Sequence, residues 1–338
     1  MKTTKKILAI ALALVLLCGV FAACSGTKDN GTNESTVGET TEATGKKFKI
    51  GVIQLMEHVA LDAATDGFKQ AVIDELGKEN VEFDVQNGQG DPQTCSTIAN
   101  QFVSNKVDLI LANATPALQS AAAATAEIPI LGTSVTEYGV ALDLKDFQGT
   151  VGGNISGTSD LAPLDKQAEM ITEWCPDAKT VGLLYCSKEA NSQYQVDVVK
   201  AELEKAGLTA TLYPFSDSND LAQVCTTAAD NCDVIYVPTD NTVAENTGII
   251  DNICEPKKVP VIAGEEGICS GCGIATLSIS YYDLGYTTGK MAVKILKGEA
   301  DISTMEISYA ETQTPKYNKQ NCDALGITPL EGYVAIEA

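Results

Sequence analysis

The stretch Phe48-Lys49-Ile50-Gly51-Val52-Ile53-Gln54-Leu55 decides the fold. Its aliphatic and β-branched residues are typical of a buried strand in a parallel sheet. The residues that follow place apolar side chains at helical spacing, at Leu61, Ala64, Phe68, Ala71 and Val72. A buried strand followed directly by an amphipathic helix is the unit from which α/β proteins are built. This stretch therefore predicts an α/β fold.

The same alternation continues along the chain and then begins again. The first series predicts strands at 81–85, 107–111 and 128–131 and helices at 92–104 and 116–126. The second series predicts strands at 180–186, 208–213, 233–237 and 259–262 and helices at 192–206, 219–230 and 242–253. Strands and helices in this rhythm predict parallel sheets covered on both faces. We expect two doubly wound parallel-sheet lobes.

The two series resemble each other. Gly51 in the first series corresponds to Gly182 in the second, and Asp108 corresponds to Asp233. The Ile-Pro-Ile segment at 128–130 recurs as Val-Pro-Val at 259–261. Because the matches keep their order along the chain, they predict two lobes that follow one plan.

Polar side chains occupy corresponding positions after the predicted strands. They form three pairs with one member from each lobe: Thr115 with Asp240, Ser134 with Glu265, and His58 with Glu189. In open parallel sheets, ligands bind beyond the carboxyl ends of the strands, beside helix N-termini. Helix capping is the alternative role for each of these residues taken alone. The matched set predicts that all six converge on one crevice between the lobes.

The charge balance excludes one class of partner and limits how a ligand is held. The chain has 45 acidic residues against 23 basic ones, and its formal net charge is −22. Such a chain repels phosphate backbones, so a nucleic-acid partner is excluded. Every basic residue is lysine, so the bidentate arginine clamp for carboxylates is absent. Backbone N–H groups, hydroxyls, amides or lysine must bind any anionic ligand group.

The N-terminus has the features of an export signal. Residues 1–23 combine early lysines, an apolar run at 7–17 and the small residues Ala22 and Ala23, which predicts a signal peptide. Phe21-Ala22-Ala23-Cys24 resembles a bacterial lipobox, in which the cysteine is acylated, typically with palmitate. Residues 24–47 are therefore predicted to be a lipidated cysteine and a flexible polar tether. The alternative is a soluble secreted protein in which Cys24 has no such role.

Nine cysteines follow Cys24, an odd number without a disulfide framework. Cys269 and Cys272 form a CxxC sequence, but no second pair with metal spacing accompanies it, and His58 is the single histidine. We expect no metal site. A local disulfide between Cys269 and Cys272 stays an open alternative, and buried free thiols are the simplest interpretation of the others.

Several segments carry a resemblance to a known family. They are Gly51-Val52-Ile53-Gln54 with Glu57-His58, Leu61-Asp62, Ala114-Thr115-Pro116-Ala117, Gly153-Asn154-Ile155-Ser156-Gly157 with Asp160, Val237-Pro238-Thr239-Asp240-Asn241-Thr242, and Asp283-Leu284-Gly285 through Leu296-Lys297-Gly298. In order and number they resemble the ABC-transporter substrate-binding lipoproteins of the tryptophan/tyrosine (TrpX-like) group. The resemblance covers residues 47–315 and implies a type I periplasmic-binding-protein fold.

The resemblance also implies how the lobes are joined. A three-stranded hinge is expected, with crossings near 150–157, 273–280 and 307–314. Lobe 1 would then comprise residues 48–152 and 281–307. Lobe 2 would comprise residues 153–280 and 308–338. Lobes hinged in this way close around a ligand.

The ligand implied by the resemblance is an aromatic amino acid: tyrosine, tryptophan or phenylalanine. Thr115 and Ser134 would hold its carboxylate with hydroxyls and backbone N–H groups. Its ammonium would lie against Asp240 and Asn241, with Asn191 as a further acceptor. The remaining candidate ligand residues are His58 and Glu189 from the matched pairs, and Glu265 and Glu266. A buried glutamate there would accept from a phenol, which favours tyrosine. Replacing Asp240 by Ala is expected to abolish binding without changing the unliganded melting point.

The function implied is capture of a solute for an ABC importer by a monomer without a cofactor. Its partners would be a permease, its ATPase and, through the lipid anchor, the extracytoplasmic face of a Gram-positive cell membrane. The alternatives are a binding protein of the same fold for a sugar or another small solute, or a surface adhesin or sensor without a permease. An enzyme is not expected, because the chain lacks a Gly-x-Ser-x-Gly nucleophile elbow.

Overall fold

The computed structural model describes residues 47–310 and 312–336. The predicted signal peptide, the lipobox with Cys24 and the tether before residue 47 lie outside the described residues. None of the helices in the described ranges has the length and apolar character needed to cross a membrane.

The described chain forms thirteen strands and twelve α-helices. The strands are β1 Phe48–Gln54, β2 Val81–Asn87, β3 Leu109–Asn113, β4 Ile130–Val135, β5 Ile155–Ser159, β6 Thr180–Cys186, β7 Thr209–Phe215, β8 Val234–Val237, β9 Val261–Ala263, β10 Ala275–Ser278, β11 Ser308–Tyr309, β12 Thr314–Tyr317 and β13 Val334–Ala335. The helices are α1 Val59–Leu76, α2 Pro92–Asn105, α3 Thr115–Ala124, α4 Tyr138–Ala141, α5 Leu164–Trp174, α6 Ala190–Lys205, α7 Ser218–Asn231, α8 Asn241–Glu245, α9 Thr247–Lys257, α10 Glu266–Cys272, α11 Tyr281–Leu296 and α12 Lys319–Leu325. Short 3₁₀ turns occur at Lys78–Asn80 and Ile302–Thr304.

The strands form two sheets, and the predicted α/β fold with two parallel-sheet lobes is confirmed. The six-stranded sheet of lobe 1 has the order β11-β5-β4-β3-β1-β2, and every adjacent pair is parallel. The seven-stranded sheet of lobe 2 has the order β13-β12-β10-β9-β8-β6-β7 and is parallel except where β12 meets β10. The run β4-β3-β1-β2 in lobe 1 matches β9-β8-β6-β7 in lobe 2, which is the topology of the predicted repeat.

The corresponding aspartates of the two lobes, Asp108 and Asp233, accept equivalent hydrogen bonds. The carboxylate of Asp108 accepts a hydrogen bond from the backbone N–H of Lys49, at the start of β1. The carboxylate of Asp233 accepts from the N–H groups of Lys179 and Thr180, at the start of β6. In each lobe this aspartate fixes the first strand to the turn before the third, so the sheet begins with the same register in both.

Apolar side chains cover both faces of each sheet. In lobe 1, one cluster contains Phe102 and Ile110, and the opposite face packs Phe68 and Leu109 against α11. In lobe 2, Trp174 lies in one of two such clusters, where its ring meets that of Tyr333 edge to face. Two covered faces are what near-continuous apolar strands require.

Helices α1 and α11 of lobe 1 approach each other unusually closely. A Cβ atom added to Gly285 would lie 1.9 Å from the backbone oxygen of Ala64. A Cβ atom added to Gly67 would lie 2.0 Å from the backbone oxygen of Tyr282. Glycine is therefore required at both contacts, and the pair anchors the start of α11 against lobe 1.

The structure corrects the predicted first crossing. The segment 150–157 is not a hinge, because Gly152 and Gly153 form a turn with φ values of 83° and 59° that leads into β5. Strand β5 pairs with β4, so lobe 1 continues to Ser159 instead of ending at residue 152. Strand β11 likewise pairs with β5 and keeps Ser308 and Tyr309 in lobe 1. The chain thus passes between the sheets at 160–163, at 279–280 and between β11 and β12.

The structure also divides one predicted helix. The segment 242–253 contains α8 and α9, which meet at Asn246. The backbone of Asn246 has φ −124° and ψ 24°, and its side chain donates to the backbone oxygen of Thr242. An asparagine that bonds the last turn of a helix competes with continuation of that helix.

Candidate functional site

A cavity, here called the central cavity, lies between the carboxyl ends of the two sheets. Six of the nine predicted ligand residues line it: His58, Ser134, Asn191, Asp240, Asn241 and Glu265. Of the other three, Thr115 is buried at the start of α3, Glu189 bonds to two residues of α8, and Glu266 faces a neighbouring cavity. The central cavity measures about 10 Å³, room for about one water molecule.

The lobe 1 side of the site offers hydroxyls without partners. Thr115 is the first residue of α3 and not its N-cap, which is Ala114 at φ 92°. The hydroxyl of Thr115 and that of Ser134 are both buried and have no hydrogen-bond partner. Ser134 also adopts a positive φ, 54°. Backbone strain at a non-glycine residue is typical of functional sites, and here it occurs at Ala114, between β3 and α3, and at Ser134, near the end of β4.

The N-terminus of α3 is itself uncapped. Ala114 supplies no side-chain acceptor, and the first bond of the helix runs from the Leu118 N–H to the Ala114 oxygen. The N–H groups of Thr115 and Ala117 therefore have no acceptor inside the helix. N–H groups without a helical acceptor, together with the helix dipole, make this end favourable for an anion.

The lobe 2 side carries carboxylates that already have partners. The Asp240 carboxylate accepts from the N–H of Val243, 2.9 Å away, and from the N–H of Cys186, 2.7 Å away. One oxygen of Glu189 accepts from the backbone and side chain of Asn241, and the other accepts from Thr242. Both acids thus stabilise the start of α8.

Glu265 plays the same role for α10. Its side chain accepts hydrogen bonds from the N–H groups of Gly267 and Ile268. Burial, opposed by these bonds, raises the pKa of Glu265 to about 7. Burial and the nearby charge of Glu189 raise the pKa of Asp240 to about 8. Lobe 2 therefore presents a group of acids whose charge is costly without a cation nearby.

One contact joins the two lobes across the cavity at the predicted histidine. His58 Nε2 lies 3.3 Å from Asn241 Oδ1, between the start of α1 and the start of α8. Burial lowers the pKa of His58, although Asn241 and the charge of Glu189 oppose the shift. The neutral ring is therefore favoured, and it lies at the boundary between the lobes.

Asp160 belongs to one of the segments that resemble the family, but it was not predicted to be a ligand residue. It follows β5 directly, lines the central cavity and is almost fully buried. Its Oδ2 accepts from the Tyr281 hydroxyl, 2.9 Å away, whereas its Oδ1 has no partner. Burial raises the pKa of this carboxyl. The signal was its place after a strand, which the glycines of the preceding segment concealed by suggesting a hinge.

Asn191 supplies a second acceptor without a partner. Its side-chain nitrogen donates to Glu189 and to the backbone oxygen of Thr239. Its Oδ1 is buried and unpaired. Buried polar atoms are normally satisfied in native structures, so unpaired acceptors and hydroxyls around one cavity indicate a missing ligand.

A larger cavity, here called the outer cavity, adjoins the central one. It measures about 780 Å³ and shares His58, Glu265 and Tyr281 with the central cavity. Glu266 lies on its wall, where one carboxylate oxygen is 2.7 Å from Lys316 Nζ. Glu266 therefore belongs to the outer cavity and not to the central one.

The nine described cysteines are all free. Cys269 and Cys272 are buried on α10, and the Sγ atoms of Cys225 and Cys254 lie 3.7 Å apart. Burial raises the pKa of the Cys269 and Cys272 thiols. Within the described ranges, no group of three or more potential ligand side chains is arranged to hold a metal ion.

Two related α/β lobes, with a polar cavity between the carboxyl ends of their sheets, define a solute-binding protein of the type I periplasmic-binding-protein fold. The chain belongs to the family of ABC transporter substrate binding proteins, which it matches over residues 49–336. The predicted family and the predicted role as an ABC-transporter substrate-binding protein are confirmed. The role of this family is binding and not catalysis.

Three similar proteins place the chain more closely. A tyrosine-binding protein of Clostridioides difficile (strain R20291) is 38% identical over 299 residues, which cover 88% of this chain and 86% of that protein. The ABC domain from Streptococcus pneumonia in complex with L-Trp is 34% identical, with a TM-score of 0.81 over 86% of this chain and all of the other. The ligand-free, open structure of a substrate binding protein with adhesive properties from Clostridium difficile is 39% identical, with a TM-score of 0.66 over 86% of this chain and 99% of the other.

The two solved structures differ in how closely their overall shape matches that of this protein. The open structure is more similar in sequence but less similar in shape than the L-Trp complex. In overall shape the present structure is therefore more similar to the L-Trp complex than to the ligand-free, open structure.

Proposed function

We propose that this protein captures a free aromatic amino acid between its lobes and delivers it to an ABC permease and its ATPase. The similarity to a tyrosine-binding protein and to an L-Trp complex supports this class of ligand. The observation that carries the proposal is the set of unpaired polar atoms around one cavity. Three of these atoms belong to lining residues, namely the acceptors Asp160 Oδ1 and Asn191 Oδ1 and the Ser134 hydroxyl, and a fourth, the Thr115 hydroxyl, is buried at the start of α3.

The unpaired atoms match the two charges of an amino acid. The acceptors suit an ammonium, because Asp160 offers a carboxylate oxygen and Asn191 an amide oxygen. The hydroxyls and the uncapped N-terminus of α3 suit a carboxylate without any arginine. This arrangement transfers the predicted ammonium contact from Asp240 to Asp160, because both oxygens of Asp240 already accept hydrogen bonds.

Binding in this way requires the lobes to move. The central cavity, at about 10 Å³, does not have room for a whole amino acid. The ligand therefore enters an open form, and closure brings the two sets of polar atoms onto its two ends. Hinged closure of this kind is the usual mechanism of such binding proteins.

The decisive experiment is calorimetric titration of the domain, residues 47–338, with the twenty amino acids and common sugars. Tyrosine, tryptophan or phenylalanine should bind, and Asp160→Asn should weaken that binding at least about thirtyfold, because a charge-assisted bond is lost. The matched control is Asp165→Asn, which removes one exposed charge from the start of α5. Binding of sugars alone, or equal binding by both variants, would refute the proposal.

The amino-acid ligand is favoured over a sugar by the lining of the cavity. Among its described lining residues, Tyr281 is the one Tyr, Phe or Trp side chain. Trp174 lies in the core of lobe 2 against Tyr333 and does not reach the cavity. Sugar sites depend on aromatic rings that stack on the ligand, and the described lining does not supply a set of them.

We further propose that the mature protein is a monomer without enzymatic activity, tethered by acylated Cys24 to the extracytoplasmic face of a Gram-positive membrane. The lipobox-like sequence at 21–24 supports the anchor. Cys24→Ala should release the protein into the medium and abolish labelling with a palmitate analogue. An adhesin role is a second candidate, because a protein 39% identical is described as having adhesive properties. Loss of host-cell attachment by bacteria whose protein still binds its ligand would identify that role.

A further inference from the structure

The outer cavity is the space beside the central cavity that has room for a ligand side chain. The two cavities share His58, Glu265 and Tyr281, so they lie next to each other. At about 780 Å³ the outer cavity is within the size range of small-molecule pockets. If the two charged ends of an amino acid occupy the central cavity, as proposed above, its side chain therefore extends into the outer one.

The wall of the outer cavity carries an ion pair that a bound ligand can contact. Lys316 Nζ and the Ser278 hydroxyl each donate to the same oxygen of Glu266, both over 2.7 Å. The other oxygen of Glu266 has no partner among the described residues. Lys316 is the one lysine among the described residues that line either cavity.

The backbone holds this pair firmly in place. Glu266 is the first residue of α10 and follows Glu265, which lines the central cavity. Lys316 lies on β12, opposite Thr276 of β10 in the antiparallel ladder. The pair therefore joins a helix start and two strands of lobe 2, next to the proposed site of the charged ends.

The ion pair offers both a donor and an acceptor, and this determines which side chain it suits. Lys316 has further N–H groups to donate, and Glu266 has an oxygen that accepts. A phenol hydroxyl both donates and accepts, whereas a phenyl ring does neither and an indole N–H only donates. We propose that the Glu266–Lys316 pair binds the hydroxyl at the end of the ligand side chain and so selects tyrosine over phenylalanine.

If the Glu266–Lys316 pair served only the fold, replacing it would change stability and not the preference between ligands. The side chains of Glu266 and Lys316 are 33% and 27% exposed, and ion pairs of this kind contribute little to folding. The same partial exposure limits selectivity, since water replaces a lost contact more easily than in a sealed site. We therefore expect about a tenfold preference to depend on the pair.

The test compares the dissociation constants of tyrosine and phenylalanine for the wild type, Lys316→Met and Glu266→Gln. Both variants should lose about tenfold in affinity for tyrosine and keep their affinity for phenylalanine. The matched control is Lys319→Met, which removes a lysine from the exposed ion pair with Asp323 on α12. This control should leave both constants unchanged.

The outcomes separate this inference from the function on which it rests. If a variant retains the wild-type preference for tyrosine, or weakens both ligands alike, the pair does not read the hydroxyl, although the protein still binds amino acids. If the wild type binds phenylalanine or tryptophan more tightly than tyrosine, the inference is wrong as well. If the folded wild type binds no amino acid, the proposed function fails and this inference fails with it.

Discussion

The two lobes share one topology but present opposite chemistry to the cavity between them. At each corresponding position lobe 1 has a neutral residue and lobe 2 has an acid: Thr115 and Asp240, Ser134 and Glu265, His58 and Glu189. In lobe 1 two of the three carry buried hydroxyls without partners. In lobe 2 all three acids bond to N–H groups at helix starts. A repeated scaffold thus has unpaired hydroxyls in one lobe and, in the other, acids that already bond to helix starts.

This difference implies that the two sets of residues have different roles. The acids of lobe 2 stabilise α8 and α10 whether or not a ligand is bound. The hydroxyls of lobe 1 gain nothing in the unliganded fold, because a buried polar group without a partner is unfavourable. Replacing the three acids of lobe 2 should therefore change stability, and replacing the two hydroxyls of lobe 1 should change affinity.

The largest expected effect is that of Asp240→Ala on stability. The variant loses the N-cap of α8 and leaves the N–H of Cys186 unpaired, which together should lower the free energy of unfolding by about 2 kcal/mol. This revises the expectation from sequence that the unliganded melting point would not change. Denaturant titration of the unliganded domain measures the loss. Asp240→Asn, which retains a capping side chain, is the control, and an unchanged midpoint in Asp240→Ala would contradict the contrast between the lobes.

The next effect is the pH dependence of binding. Burial raises the pKa of Asp240 to about 8 and that of Glu265 to about 7, and it also raises that of Asp160. Below these values the unliganded protein holds protons that a ligand ammonium must displace. Affinity should rise about tenfold from pH 6 to pH 8 for each proton released. Calorimetry in buffers with different ionisation enthalpies counts the protons.

The same pKa shifts determine whether stability rises or falls with pH. These carboxyls bind protons more tightly in the folded state, so they favour folding at low pH and this contribution is lost as the pH rises through about 7 to 8. Glu265→Gln should reduce both dependences. Equal affinities at pH 6 and pH 8 would mean that the acids of lobe 2 do not respond to the ligand.

The smallest effect is expected in lobe 1. Ser134→Ala removes a hydroxyl that has no partner in the unliganded structure, so the free energy of unfolding should stay within about 0.5 kcal/mol of the wild-type value. Ligand affinity should fall about fivefold, because one hydrogen bond contributes about 1 kcal/mol. Thermal melting with and without ligand measures both quantities. A large loss of stability without ligand would show that Ser134 serves the fold, as the acids of lobe 2 do.

Much of this arrangement could be predicted from the sequence because it depends on short-range periodicity. Alternating strands and helices indicate a sheet that is covered on both faces, and parallel strands bring their carboxyl ends to one edge of that sheet. That reasoning predicted four residues that line the central cavity, His58, Ser134, Asp240 and Glu265, and the family resemblance added Asn191 and Asn241. It failed at Asp160, because glycines that form a turn before β5 look the same in sequence as glycines of a hinge.

The roles of the acids were harder to predict than their places. Glu189 bonds to Asn241 and Thr242, which lie 52 and 53 residues further along the chain. Asp240 likewise accepts from Cys186, on a neighbouring strand. Sequence spacing indicates which residues share an edge, but not which of their oxygens already have partners once the lobe has folded.

The two carboxylate oxygens of Asp160 differ in their hydrogen bonding. Its Oδ2 holds the hydroxyl of Tyr281, immediately after the second passage between the sheets, and its Oδ1 is open to the central cavity. A cation arriving at Oδ1 would favour the ionised carboxylate, and an ionised acceptor forms a stronger bond to the tyrosine. Ligand binding would then strengthen the Asp160–Tyr281 hydrogen bond, which lies beside two of the passages between the sheets. The liganded protein would therefore open less readily than the unliganded one.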